Sequence, residues 1–517
     1  MMKKKNYLIP VGVALVFMIL TVSPARAELF TVGGRPLNVF GYATMGGAFS
    51  LNDKDYYDTE KGFQSALMNL FLEGNYAITN ELKFYTSTML TVDWAYQLKA
   101  NDSSWHDKLF DKSRTLNVDD KYWQLLKEVH LSWTPKNFNF RIGKQIVAWG
   151  ETDGFRLMDQ INPQDTRRGF ADVEFETSII PIWLLKGEYF PDVSSKWLQD
   201  LGLEFVFNPN ADFIPNQGPQ PGNDVGGIWA PDILIPGPFP YGEAHMGSAI
   251  MKIENSKGHF NPDFYEYAFR VKAVIADSIV TLNYFYGRDN DPVTRLFPPF
   301  LSPLPPDILA SDGRLILHPF MEGKYPLFRF VGGTFSRDIP FLKASFLGGV
   351  APVVRLESFY AFSNTFATTV NRFIKSDDFR AAIGFDWKVK IPFLNPTAGF
   401  TISPQFYYRR IMDYPSIVNT AGILSGEEIS GLRENNYQTT LMINTNYLHG
   451  KLVPSFFWFR DINSQSDMFR FQLVYDYSNK WHFTLGALLL DGHKNGEGFQ
   501  LFEHKDQIYF KISYKWG

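Results

Sequence analysis

Side chains along much of this chain switch between apolar and polar at every residue, which places them on opposite faces of extended strands. In the last such segment Ile508, Phe510, Ile512, Tyr514 and Trp516 form one row, and Tyr509, Lys511, Ser513 and Lys515 form the other. From 378 to 391, Phe379, Ala381, Ile383, Phe385, Trp387, Val389 and Ile391 oppose a row holding Asp378, Arg380, Asp386, Lys388 and Lys390. Residues 264–276 and 468–477 repeat the pattern, with Glu266, Arg270 and Lys272 in one polar row and Arg470 in the other. Any half-buried strand alternates, but full charges do not suit a dry sandwich core. Charges opposite aromatics suit a wall with lipid on one side and a wet lumen on the other. The expected fold is all-β, a transmembrane antiparallel β-barrel.

About eighteen strands are predicted, at 36–49, 63–77, 81–97, 122–134, 138–150, 177–190, 199–208, 263–276, 278–288, 325–337, 341–360, 378–391, 399–411, 435–448, 451–460, 467–477, 480–491 and 505–516. Sixteen is the alternative, because 36–49 and 177–190 alternate least clearly. The connections come long and short in turn. Short ones include 78–80, 135–137, Asp277, Leu448-His449-Gly450 and 478–479. The long ones are 50–62, 98–121, 151–176, 209–262, 289–324, 361–377, 412–434, 461–466 and 492–504. Short periplasmic turns and long extracellular loops are the asymmetry of bacterial barrels, and an even strand number puts both ends in the periplasm.

Lys3, Lys4 and Lys5, the apolar stretch Tyr7 to Val22 and the small residues of Pro24-Ala25-Arg26-Ala27 read as a signal peptide cleaved after Ala27. The apolar run is shorter than the roughly 20 residues of a membrane-spanning helix. Residues 28–517 are read as a single barrel. Of 50 basic and 54 acidic residues the signal takes four basic and no acidic ones, leaving 46 against 54, a net charge of −8. That balance argues against nucleic acid as a partner, which needs clustered Lys and Arg. The chain has no cysteine, which excludes disulfides, thiolate metal sites and c-type haem attachment. Aromatic residues reach 16%, a load that interface girdles absorb. The expected location is the outer membrane of a Gram-negative bacterium. Outer-membrane lipid, a small-molecule solute and the barrel-assembly machinery are the expected partners, with a homo-oligomer or a transport complex left open.

The polar rows and strand ends nominate Glu128, His130, Arg141, Lys144, Gln145, Glu266, Arg270, Lys272, Arg380, Asp386, Arg409 and Arg470 as pore-lining. Lys144 falls on the opposite strand face from Arg141 and Gln145. A cation on the lipid face at midplane costs about 2–4 kcal/mol. Either a bulge at Gly143 turns Lys144 inward or the residue sits near an interface. The loop 209–262 is dense in Pro and Gly yet carries Trp229, Ile233 and Phe239, so it is expected to fold inward as a constriction; a surface loop packed on its neighbours is the alternative. The loop 289–324 has a similar composition.

The most distinctive stretch is Phe140 to Phe170. It runs from a strand with Arg141, Gly143, Lys144 and Gln145 through Trp149-Gly150-Glu151 to Asn162-Pro163-Gln164-Asp165. Over about thirty residues it resembles an uncharacterised family of Gram-negative outer-membrane proteins, the domain of unknown function numbered thirteen-oh-two. The resemblance implies a porin-like barrel in export or uptake, often of hydrophobic compounds, with Trp149, Gly150, Glu151, Asn162, Pro163 and Asp165 as motif residues. It names no substrate.

His130 and Ser132 stand two apart on one strand face, a spacing seen in an outer-membrane phospholipase. Their row should face the lumen, whereas that chemistry needs the lipid face, so no enzyme is expected. Asp53, Asp55, Asp58 and Glu60 match no defined Ca²⁺ loop and read as a solvated acidic loop. No nucleotide fingerprint or zinc spacing occurs, and no cofactor or metal is expected. The leading function is passive passage of small solutes through a loop-narrowed channel with weak ion selectivity. Transport of hydrophobic compounds, and a barrel partnering a cytochrome or an efflux complex, are the alternatives.

Overall fold

The computed structural model describes residues 28–52, 61–100, 117–152, 157–170, 178–193, 195–219, 227–247, 250–254, 259–301, 313–343, 348–367, 372–414, 433–494 and 496–516. The predicted signal peptide (1–27) and the acidic group Asp53, Asp55, Asp58 and Glu60 lie outside them.

Eighteen antiparallel strands close into one barrel. Numbered around the wall they are β1 (Arg35–Ser50), β2 (Leu67–Ala77), β3 (Leu82–Asp93), β4 (Val129–Trp133), β5 (Phe138–Gln145), β6 (Ile182–Tyr189), β7 (Leu198–Asn208), β8 (Glu266–Ile275), β9 (Ser278–Arg288), β10 (Leu327–Asp338), β11 (Val353–Ala367), β12 (Phe373–Val389), β13 (Phe400–Ile411), β14 (Asn435–Asn444), β15 (Leu452–Asp461), β16 (Ser466–Asp476), β17 (Trp481–Gly492) and β18 (Gln507–Trp516). Each strand pairs with the next in the chain. The ring closes where β18 returns to β1, from Gly41 opposite Trp516 to Ser50 opposite Gln507. Gly41 is needed at this seam: a Cβ there would stand 2.4 Å from the Trp516 ring. Closure leaves the wall no free edge, which is what the bilayer demands of a sheet.

The outward rows stay exposed although they are apolar. Met45, Ile142, Leu282, Leu485 and Phe510 are each more than half exposed, and residues like them ring the whole wall. Such a surface would aggregate in water and is at home against hydrocarbon. Near the short-turn end Trp133, Phe140, Phe138 and Tyr189 stack with nearly parallel rings into part of an aromatic girdle. The chain is thus a transmembrane barrel of outer-membrane type. Among the described residues no helix is long and apolar enough to cross a membrane.

Every predicted strand has a counterpart, but several boundaries move. The expected loop 361–377 is mostly wall: β11 runs on to Ala367 and β12 begins at Phe373. A bulge between Ala361 and Asn364, with Ser363 at φ +52°, shifts the alternation by one residue and hides the continuation. The expected strand start at 341 is instead part of a longer turn, with a 3₁₀ turn at Pro340–Leu342, and β11 enters at Val353. Residues 95–100 and 122–125 are short helices at the ends of predicted strands. The largest change concerns β5, predicted to 150, which stops at Gln145. There the chain leaves the wall.

Candidate functional site

From Ile146 the chain turns into the barrel, and its side chains make a core there. Val147, Trp149, Leu157, Met158 and Ile161 pack on inward-facing Ile182, Leu184, Val206, Phe285, Phe328, Phe330 and Phe359. A barrel this wide would hold water unless something filled it. Here the aromatic inner wall of β9 to β11 is matched by an apolar insert.

Polar contacts hold the insert. Asn162 clamps its base: its amide oxygen accepts from Val147 N–H at 2.8 Å, and its amide nitrogen donates to Gln145 O at 3.1 Å and Ile180 O at 3.0 Å. Pro163 O accepts from Ile180 N–H at 2.8 Å. The Asp159 carboxylate accepts from the backbone N–H groups of Trp149 (2.6 Å) and Gly150 (2.9 Å). Only glycine fits at 150, because a Cβ would lie 2.7 Å from Asp159 Oδ2. The Trp149 indole donates to Glu204 on β7 at 2.9 Å, and Arg270 lies over its ring at 5.9 Å. Across the lumen, Glu357 on β11 accepts from the N–H groups of Glu151, Thr152 (2.6 Å) and Met158 (3.2 Å), while Arg355 donates to Glu151 O. Asp165 accepts from Arg167 at 2.6 and 2.8 Å, and Asp119 accepts from Arg167 at 2.9 Å and Arg168 at 2.6 Å. Burial acts to raise the Asp165 carboxyl, but Arg167 and Arg168 outweigh it and hold it below the ordinary carboxylate range. The motif residues Trp149, Gly150, Glu151, Asn162, Pro163 and Asp165 are therefore all parts of one docking device.

Two further inserts enter the lumen. Trp229 and Ile233 pack with Phe499, Leu501 and Phe502, from the 3₁₀ helix Gly498–Lys505, against Leu488, Leu490, Tyr509 and Ala48 on the wall. Phe239 does not join them; it sits half-buried against Gly237 in the outer hairpin of the loop.

Between the inserts and the wall lies a polar cavity of about 130 Å³. Asp159, Gln160, Asn216, Asp289 and Asp291 line it from the loops, and Arg380 and Arg409 from β12 and β13. Asn216 knits the loop side together: its side-chain oxygen accepts from Gln164 N–H at 2.7 Å and its amide donates to Asp291 at 2.9 Å. On the wall side Asp378 sits between the two guanidiniums, 2.8 Å from Arg380 and 2.9 Å from Arg409. Three loop carboxylates thus face two wall arginines that share one carboxylate.

The other nominated residues are spread over the wall. His130 is inward, its ring stacked on Tyr85 at 5.0 Å and its Nδ1 3.3 Å from Ser132 Oγ. Glu128 accepts from Ile146 N–H at 3.2 Å, just where the insert begins. Gln145 is buried and donates to Leu184 O at 3.1 Å. Arg141 stands opposite Lys186, and Arg270 bridges to Glu204 at 3.2 Å. Lys272 lines a smaller cavity with Glu188 and Asp200. Glu266 is held by Asn208 at 2.7 Å and Arg288 N–H at 3.0 Å. Asp386 pairs with Arg355 at 2.9 Å, and Arg470 lies over Phe457 at 5.3 Å.

Lys144 is a correction. It was nominated as pore-lining, by a bulge at Gly143 or with a place near an interface as the alternative; the bulge is absent from the pairing register, which runs without a shift through Val129–Lys144 and Lys144–Trp183. Lys144 therefore stays on the outward row. Its ammonium is sheltered by the helix Tyr122–Leu125, donating to Leu126 O and lying 4.8 Å from the Tyr122 ring centroid. Carbonyls at a helix C-terminus are a natural seat for a cation. Asp289, Asp291, Asn216 and Glu357 were missed in the sequence; Asp289-Asn290-Asp291 directly after a strand was the available signal.

No family model and no curated protein matches the chain. Among solved structures it resembles OccK5 (OpdH) of Pseudomonas aeruginosa, at 8% identity over 93% of this chain and 98% of that one, with a TM-score of 0.44. OccAB2 of Acinetobacter baumannii gives 9% identity, the same coverages and a TM-score of 0.43. OmpF of Salmonella typhi, in a complex with daunomycin, gives 9% identity, 93% and 98% coverage and a TM-score of 0.35.

Proposed function

We propose that the protein is an outer-membrane channel passing small polar solutes down their gradient, with the cavity between the loop carboxylates and Arg380 and Arg409 as its eyelet. The observation that carries this is the cavity's composition. It is polar on both sides and holds about 130 Å³, room for several waters. The apolar side chains inside the barrel do not favour a hydrophobic cargo in the lumen, because the inserts already cover them. Both signs of charge face the gap, so selectivity between anions and cations is weak and size decides. In this reading the motif from Trp149 to Asp165 anchors the throttle, and residues 1–27 direct export.

Proteoliposome swelling with a graded series of uncharged sugars tests the proposal. Small sugars should enter and oligosaccharides should not, and under a salt gradient the reversal potential should lie near zero. Failure of even the smallest solute to enter would refute the channel; a reversal potential near the Nernst limit would refute weak selectivity.

A further inference from the structure

The outer wall has a groove of about 820 Å³ where β4 and β5 end early. Its apolar lining includes Phe84, Leu131, Ile142, Leu185 and Phe207 from the outward rows, with Phe260 and Asp212 from the loop after β7. The volume lies within the range of about 300–1,000 Å³ typical of small-molecule sites. Two features make it concave. β5 leaves the wall at Gln145, so the sheet is not continued above that level. The segment 121–126 stands beside β3 in place of a longer β4 and turns its last carbonyls outward, where Thr88 donates to Leu125 O and Lys144 to Leu126 O. Tyr122 then reaches across and donates to Asp212.

The height of the groove identifies what meets it. Phe138 and Trp133 belong to the aromatic girdle at the short-turn end. Ile142 lies four residues further up β5, about 13 Å along the strand at about 3.3 Å per residue. At a strand tilt of about 40° this is roughly 10 Å of height, inside an apolar band about 25 Å tall. The groove therefore opens into bilayer hydrocarbon, where lipid acyl chains are the molecules that meet it.

We infer that this groove is a binding site for one acyl chain of a membrane phospholipid, lying against Leu131, Ile142 and Leu185 beneath the Tyr122–Asp212 bridge. The site is independent of what passes through the lumen. It gives this sector of the wall a retained lipid where other sectors meet exchanging ones, and it completes the hydrophobic seal beside the point where the insert departs.

The full chain is reconstituted in vesicles containing a phospholipid with a diazirine on one acyl chain, irradiated, and its adducts mapped by mass spectrometry. Labelling at 129–142, 183–185 and 207–212 should exceed that at the exposed belt residues Phe471, Leu485 and Ile512 several-fold. Ile142→Trp, which sets a bulky ring on the floor of the groove, should cut the excess and leave belt labelling unchanged. Leu485→Trp, six strands away on β17, should leave the excess intact. Heat-modifiable migration on gels checks that each variant folds. Even labelling around the belt, or an excess undiminished in Ile142→Trp, overturns the inference. So does displacement of the labelled lipid by hexadecane but not by unlabelled phospholipid, which would make the occupant an apolar solute.

Discussion

The carboxylate of Glu357 accepts the backbone N–H of Thr152 at 2.6 Å, joining residues 205 apart in the chain across the lumen. Glu151 and Met158 donate to the same carboxylate, so one side chain of β11 holds the far end of the insert that starts at β5. Net hydrogen bonds to a charged group contribute about 1.5–3 kcal/mol. Glu357→Ala should therefore undock the insert and raise conductance and current noise. Glu357→Gln keeps one acceptor oxygen and should give an intermediate effect. Single-channel recordings check the order.

Trp149 contributes through its ring and through its indole N–H on Glu204. Trp149→Ala should cost about 3–5 kcal/mol, the usual range for emptying a buried aromatic site. Trp149→Phe keeps most of the packing and should cost about 1.5–3 kcal/mol, the net value of a hydrogen bond to a carboxylate. The midpoint of heat-modifiable gel migration measures both, and equal shifts would show that packing does not dominate.

Asp378 is buried between Arg380 and Arg409. Removing one partner of a buried charge cluster costs about 3–5 kcal/mol, less where water can reach the partners. Asp378→Asn should remove the carboxylate that the two guanidiniums share at the eyelet and move the reversal potential toward anion preference. Arg409→Ala should move it toward cations.

The Asp165 carboxyl is held below its ordinary value in the folded protein by Arg167 and Arg168, against the effect of burial. A lowered folded pKa gives stability that is fully present above the unfolded value, about 3.9, and is lost as pH falls through the folded one. Unfolding midpoints should thus feel no loss from this group between pH 7 and 5 and should fall below about pH 4. Asp165→Asn should be less stable at pH 7 and show a shallower acid decline; an identical decline would assign it to other carboxylates.

The wall was legible in the sequence because period-two alternation and turn residues are local signals, and all eighteen strands were found from them. The failures are equally local in origin. The bulge at Ser363 reversed the alternation inside β11, and the apolar Phe341 and Leu342 imitated a strand within a turn. The lumen was less legible. Trp149, Asn162 and Asp165 stood out as a motif, but their partners Glu204 and Glu357 lie on distant strands, and Asn216 is a lone amide in a long loop. Nor did alternation alone reveal that Lys144 finds shelter outside the barrel, because its partners are backbone carbonyls of a four-residue helix.

Single-channel conductance in planar bilayers, comparing the natural chain with a variant lacking residues 157–164, tests the central claim most directly. The claim predicts small, discrete steps for the natural chain and steps several-fold larger once the insert is shortened. Equal conductance in the two proteins, or no channel activity in either, would contradict it.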